Sequence, residues 1–129
     1  MQRRGFSLIE LMIVMTLIII LAGMGLSLYT NSVTRAKEAV LKEDLFRMRD
    51  ALDQYYADRN RYPAALDALV TDGYLRAIPV DPFTESADTW QTIMSPPNLQ
   101  DLAAQPGVYD VRSGSDLVAL DGTPYAGWQ

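Results

Sequence analysis

Apolar residues run almost unbroken from Phe6 to Leu28, 23 positions in all. The breaks are few: Ser7, Glu10, Thr16, Ser27 and the glycines Gly23 and Gly25. As a helix rising about 1.5 Å per residue, such a run crosses a hydrocarbon layer of roughly 30 Å. The pattern then changes. From Tyr29 to Asp58 there is no proline or glycine, and apolar residues recur at Val33, Ala36, Val40, Leu41, Leu45, Met48, Leu52 and Tyr55, close to steps of three and four. Lys37, Glu38, Lys42, Glu43, Arg47, Asp50 and Asp53 fall on the other side as a solvated face. Glu38 and Lys42 stand four apart in the order that favours an ion pair. The spacing predicts one helix of about fifty residues, apolar in its first half and amphipathic in its second. Asn60-Arg61-Tyr62-Pro63 ends it, because Pro63 disfavours helical geometry at Tyr62.

Beyond this point the elements are short. Ala64 to Val70 reads as a second helix with Leu66, Leu69 and Val70 inward and Gly73 as its C-terminal cap. Tyr74-Leu75 and Ile78-Pro79 are extended, and Asp81-Pro82-Phe83 makes a turn. Asp88 to Met94 and Val108 to Ser113 are candidate strands, with Leu117 to Leu120 as a third. Ser95 to Gly107, with three prolines, is a loop. The class is α+β: a long N-terminal helix packed on a small antiparallel sheet. Three segments follow: residues 1–5, a membrane segment 6–28, and a globular domain 29–129 that includes the helix 29–60.

Composition narrows the chemistry. A chain of 129 residues allows one small domain beside the anchor. It has no cysteine and no histidine, which excludes disulfides, histidine catalysis and Cys/His zinc sites. No phosphate loop or nucleophile motif is present, so the chain reads as a non-enzyme. Arg3 and Arg4 precede the span and no acid does, which holds the N-terminus in the cytoplasm and places the bulk of the chain outside it. That bulk carries nine basic and fifteen acidic side chains. An acidic domain without a basic stripe argues against nucleic acid as a partner.

Glu10 needs a reason. A secretory signal peptide has a shorter apolar region ending in a cleavage site of small residues. A plain anchor leaves the carboxylate to snorkel to the interface, since at the bilayer centre it costs about 2.5 kcal/mol or more. The surrounding residues, Arg3-Arg4-Gly5-Phe6-Ser7-Leu8-Ile9-Glu10-Leu11-Met12-Ile13-Val14, resemble the class III signal of type IV pilins and type II secretion pseudopilins. The resemblance implies that a prepilin peptidase cuts after Gly5 on the cytoplasmic side, leaving residues 1–5 as leader, and that the new amine of Phe6 is methylated. Glu10 of one subunit then meets the Phe6 amine of a neighbour in low dielectric, where the pair attracts strongly and an unpaired charge is costly. Gly23 and Gly25 are the weak point of the helix, or small residues for close helix packing.

A second resemblance covers the domain. Tyr55-Tyr56-Ala57-Asp58-Arg59-Asn60-Arg61-Tyr62-Pro63, then Leu66, Leu69, Gly73-Tyr74-Leu75 and Pro79-Val80-Asp81-Pro82-Phe83, is similar to the major (G-type) pseudopilin of type II secretion, with Phe83 where tryptophan is usual. Val108 to Asp116 and Trp128 match that family more loosely. The resemblance implies a pilin-like fold and a homopolymeric filament in the periplasm that drives protein export through the outer membrane. Its subunits sit in the inner membrane as single-pass proteins before assembly, surrounded by lipid, and work with minor pseudopilins and an inner-membrane assembly platform. It also implies calcium in the loop after Val108–Ser113, with Asp116 and Asp121 as ligands beside the Ser113 and Ser115 hydroxyls and main-chain carbonyls; a turn closed by Asx-type hydrogen bonds is the alternative. A type IV pilin for adhesion, motility or DNA uptake is the second functional reading, and a membrane-anchored binding module that never assembles is the third.

Overall fold

The computed structural model describes residues 5–97 and 105–129. The leader residues 1–4, with Arg3 and Arg4, and the central part of the Ser95–Gly107 loop lie outside the described residues. The elements in order are α1 (Leu8–Arg59), α2 (Asp67–Thr71), β1 (Gln91–Met94), β2 (Val108–Arg112) and a 3-10 turn at Tyr125–Gly127. Two compact units divide at Arg35 and Ala36. The architecture is α+β and pilin-like, as the pattern implies.

The first unit, Met1–Arg35, is helical from Leu8. Four of its hydroxyls bond back to the helix: Thr16 Oγ1 donates to the Met12 carbonyl at 2.8 Å, and Thr30, Ser32 and Thr34 donate in the same way. A hydroxyl bonded to its own helix can lie in hydrocarbon without leaving an open donor. The described residues bury none of the apolar stretch, which is long enough to cross a membrane.

In the second unit, Leu41, Leu45, Met48, Leu52 and Tyr55 are buried along one stripe of α1. Trp90, Val111, Ala119 and Tyr125 close over its first half. Leu69 and Val108 close over its second half with Ala51, Leu52 and Tyr55. Three positions depart from the expected inward face. Val33 and Val40 are exposed, and so is Ala36. They recur at helical spacing, but on a face that the other described residues leave exposed.

The helix ends at Arg59. Asn60 takes φ +54° and its N–H reaches the Tyr56 carbonyl at 2.8 Å, a left-handed cap that asparagine tolerates. The second helix is shorter than predicted, Asp67–Thr71 rather than Ala64–Val70. Its end is a Schellman motif: Tyr74 N–H donates to the Leu69 carbonyl, Gly73 N–H to Val70, and Gly73 has φ +84°. Leu69 is fully buried, while Leu66 and Val70 are only partly covered.

The sheet has two strands. β1 and β2 pair antiparallel from Gln91↔Arg112 to Met94↔Val108, with a bulge between Ile93 and Met94. The first strand begins at Gln91 rather than Asp88, because Asp81 and Ser86 close a turn just before it. Leu117 to Leu120 is not a third strand. Ala119 N–H donates to Thr123 O at 2.7 Å and Gly122 N–H to Ala119 O at 2.9 Å, so the segment folds on itself. Val118 makes an isolated bridge to Pro124, across the same turn.

Candidate assembly and calcium sites

The start of α1 carries the assembly candidates. Gly5 and Phe6 precede the helix and are exposed, Phe6 at 82%. Ser7 is the cap: its Oγ accepts from the Glu10 N–H at 3.3 Å, and its carbonyl accepts from Leu11 N–H at 3.2 Å. Ser7-Leu8-Ile9-Glu10 has the S-x-x-E spacing of a capping box, of which the Ser7 half is made. The sequence reasoning missed Ser7 as the cap, although the spacing displays it. An acid in the first turn also faces the positive end of the helix dipole. The Glu10 carboxylate itself is exposed and accepts no hydrogen bond among the described residues, so it is available to an external cation.

The face expected to be solvated is so at Glu43, Arg47, Asp50 and Asp53, but not at Glu38 and Lys42. Glu38 does not pair with Lys42; its Oε1 accepts from the Leu120 N–H at 3.0 Å and from the Tyr125 hydroxyl at 2.8 Å. Burial, and then Glu38, push the Tyr125 hydroxyl up to about 12, so it remains a donor. Lys42 Nζ lies 5.1 Å from the Trp128 ring centroid. Arg49 donates through Nε to Asp110 Oδ1 at 2.9 Å, and through Nη2 to the carbonyls of Val111 at 3.0 Å and Trp128 at 2.7 Å. These three residues fasten the C-terminal segment to α1. Their partners lie 61 to 87 residues away along the chain, so no local pattern announces them.

The calcium candidates lie in the turn after β2. Asp116 and Asp121 are both exposed. Asp121 Oδ1 accepts from the Thr123 N–H at 3.0 Å and its hydroxyl at 2.6 Å, and these bonds hold the carboxyl below its ordinary value. Ser113 Oγ donates to buried Asp81 Oδ2 and accepts from Ser115 N–H, and Ser115 Oγ accepts from Leu117 N–H. Both hydroxyls are thus engaged inside the turn. No group of three acidic side chains gathers among the described residues. On side chains alone the loop offers two carboxylates, short of the six to eight oxygens calcium takes.

Comparison with known proteins bears on the capped, apolar N-terminus and on the domain alike. The prokaryotic N-terminal methylation motif matches residues 1–26. The type II secretion system core protein G of Pseudomonas aeruginosa is 37% identical over 102 residues, an alignment covering 64% of this chain and 72% of that protein. The chain belongs to the type II secretion core protein G family, the major pseudopilins. The core protein G of Pectobacterium carotovorum is 33% identical over 98 residues, covering 64% of this chain and 63% of the relative, so the chain spans just under two thirds of that protein's length. That of Klebsiella michiganensis is 32% identical over 98 residues, covering 64% and 69%. No solved structure was found to match. A groove of about 990 Å³ lies beside the Lys42 and Arg49 contacts, lined by these two residues and Phe46 of α1 and by Trp128.

Proposed function

We propose that this pseudopilin is the repeating subunit of a type II secretion pseudopilus, a periplasmic filament that drives protein export through the outer membrane. The observation that carries the reading is the Leu8–Leu28 stretch of α1, apolar and uncovered by the described residues, with one carboxylate, Glu10, in its capped first turn. Such a helix needs lipid or other copies of itself. Before assembly it rests in the inner membrane with the domain periplasmic. Prepilin peptidase cuts after Gly5 and the Phe6 amine is methylated. Minor pseudopilins and the inner-membrane platform are the remaining partners. The Phe6 amine of one copy then meets Glu10 of the next, and a pair desolvated together sets the stagger.

The test is a deletion strain scored for exoprotein release and surface pili, complemented with the wild-type chain or with Glu10→Leu. Lost release with pili retained, restored by wild type but not by Glu10→Leu although both insert and are cleaved, supports the reading. Lost pili with normal release moves the chain to the type IV pilins. Release restored by Glu10→Leu removes the pairing role.

Calcium at Asp116 and Asp121 is part of the proposal. Two exposed carboxylates five positions apart support it, and main-chain carbonyls of the turn make up the remaining oxygens. The bonds from Thr123 to Asp121 weigh against it, because one must lengthen as the metal enters.

A further inference from the structure

The turn after β2 exposes more than acids. Leu117, Val118 and Leu120 are 57%, 57% and 49% exposed, while Ala119 between them is buried in the core. The turn is held rigid by the Ala119–Thr123 and Gly122–Ala119 hydrogen bonds and by Leu120 N–H on Glu38. Three aliphatic side chains are therefore fixed outward, at the cost of keeping them in water, and the tip is bracketed by Asp116 and Asp121. A preorganised apolar tip of this kind marks a contact with another molecule.

The second half of the contact is on α1. Ala36 and Val40 are exposed, Val40 at 49%, and in sequence the same spacing runs back through Val33 and Tyr29. At about 100° per residue, Ala36 and Val40 stand roughly 160–200° around the helix from Glu38, to which the turn is tied. Beside this stripe are Arg35 and Lys37, which make no ion pair among the described residues. One molecule thus carries an apolar tip rimmed by acid and, on the opposite side of α1, an apolar stripe rimmed by base.

We propose that the Leu117–Leu120 turn of one copy seats on the Ala36–Val40 stripe of α1 in a second copy, with Asp116 and Asp121 toward Arg35 and Lys37. Two different, complementary patches on opposite sides make a head-to-tail contact, which does not close into a two-fold dimer and propagates along a filament. A lipid surface fits less well, because the two acids would face anionic headgroups. The inference rests on the filament reading above and adds to it a contact outside the membrane.

The absence of cysteine gives a clean background for the test. Val118→Cys and Val40→Cys are introduced singly and together in the full chain, filaments are isolated, and the cysteines are oxidised. The double variant is expected to give a ladder of dimers, trimers and higher species on a non-reducing gel, and each single variant none, since bridging needs Cβ atoms within roughly 4.5 Å. Val118→Asp is expected to cut the pelleted filament fraction roughly tenfold or more while leaving the melting temperature unchanged, because the side chain already faces solvent. Filaments that form without a ladder overturn the contact and leave the filament reading standing. Dimers from Val118→Cys alone indicate a turn-to-turn contact and also overturn it. No filaments from the unsubstituted chain would remove the filament reading and this contact with it.

Discussion

Replacing Arg49 by methionine keeps most of its aliphatic volume on α1 and deletes three donated hydrogen bonds at once, to Asp110, to the Val111 carbonyl and to the Trp128 carbonyl. Hydrogen bonds from a charged group contribute about 1.5–3 kcal/mol each, so a bare sum gives roughly 5–9 kcal/mol. That overstates the loss. The Arg49 and Asp110 side chains retain 23% and 22% of their exposure, so water reaches both and replaces part of what is removed. Asp110 also keeps one partner, since its Oδ1 accepts from the Val111 N–H at 2.8 Å. About 2–4 kcal/mol remains, which for a domain of this size lowers Tm by roughly 10–25 °C. The assay is unfolding of the full chain in detergent, followed by tryptophan fluorescence, because Trp128 lies at one end of the network and Trp90 in the core. Asp110→Asn completes a double-mutant cycle, with an expected coupling of about 1–2 kcal/mol. A loss below about 0.5 kcal/mol for Arg49→Met, with no coupling to Asp110, would refute the view that this fork holds the C-terminal segment to the helix.

Gly114→Ala should destabilise by about 1–3 kcal/mol in urea unfolding, because a Cβ there runs into the Thr89 carbonyl; Gly107→Ala meets Tyr62 O at 2.5 Å and should behave alike, whereas Gly5→Ala meets nothing within 4 Å and should leave stability unchanged. Burial raises the Asp44 carboxyl above its ordinary value, Arg47 opposes this, and Asp81 and Glu43 add to it. Its folded value lies above its unfolded one, so its ionised form destabilises the domain at neutral pH and the penalty fades as pH falls toward about 4; Asp44→Asn should raise the urea midpoint at pH 7 and lose that advantage in acid, and a pH-independent difference would contradict the assignment. Calcium at about 100 times its dissociation constant should stabilise by about 2.7 kcal/mol if the turn binds it, and a Tm indifferent to millimolar calcium, or a response that survives Asp116→Ala and Asp121→Ala together, would remove the metal from Asp116 and Asp121.

The long helix was legible because propensity, length and period agree over its whole course, and because Asn60 and Pro63 mark its end. Its inward face was legible only from Leu41 onward. Val33, Ala36 and Val40 have the same spacing as core residues, and periodicity reports that apolar residues share a face without saying what meets it. The third strand failed for a related reason. Leu117 to Leu120 has strand-like composition, but Gly122 at φ +89° turns the chain back before a partner can be reached. At the candidate sites, the motif points to Gly5, Phe6 and Glu10, and Ser7 was overlooked beside them. The resemblance points to Asp116 and Asp121, but the engagement of Ser113 with Asp81 depends on a residue 32 positions away.

A sheet of two strands buries too little to stand alone, so the second half of α1 must complete the core. The C-terminal segment then has to be held against that helix by something other than strand pairing. Glu38, Lys42 and Arg49 do this, four and seven residues apart and therefore close to one side of the helix. Each uses a different chemistry. Glu38 accepts two hydrogen bonds, Lys42 sits over an aromatic ring, and Arg49 forks across a carboxylate and two carbonyls. The charges are consequently not interchangeable, as they would be on a solvated face. A lysine at 49 offers a point charge where three acceptors wait in the directions of a planar fork, and a glutamine at 38 keeps one oxygen for both bonds but loses the charge that strengthens them. The pattern of sign along α1 thus specifies where the segment from Asp110 to Trp128 lies, and with it which side chains of the turn after β2 are left exposed.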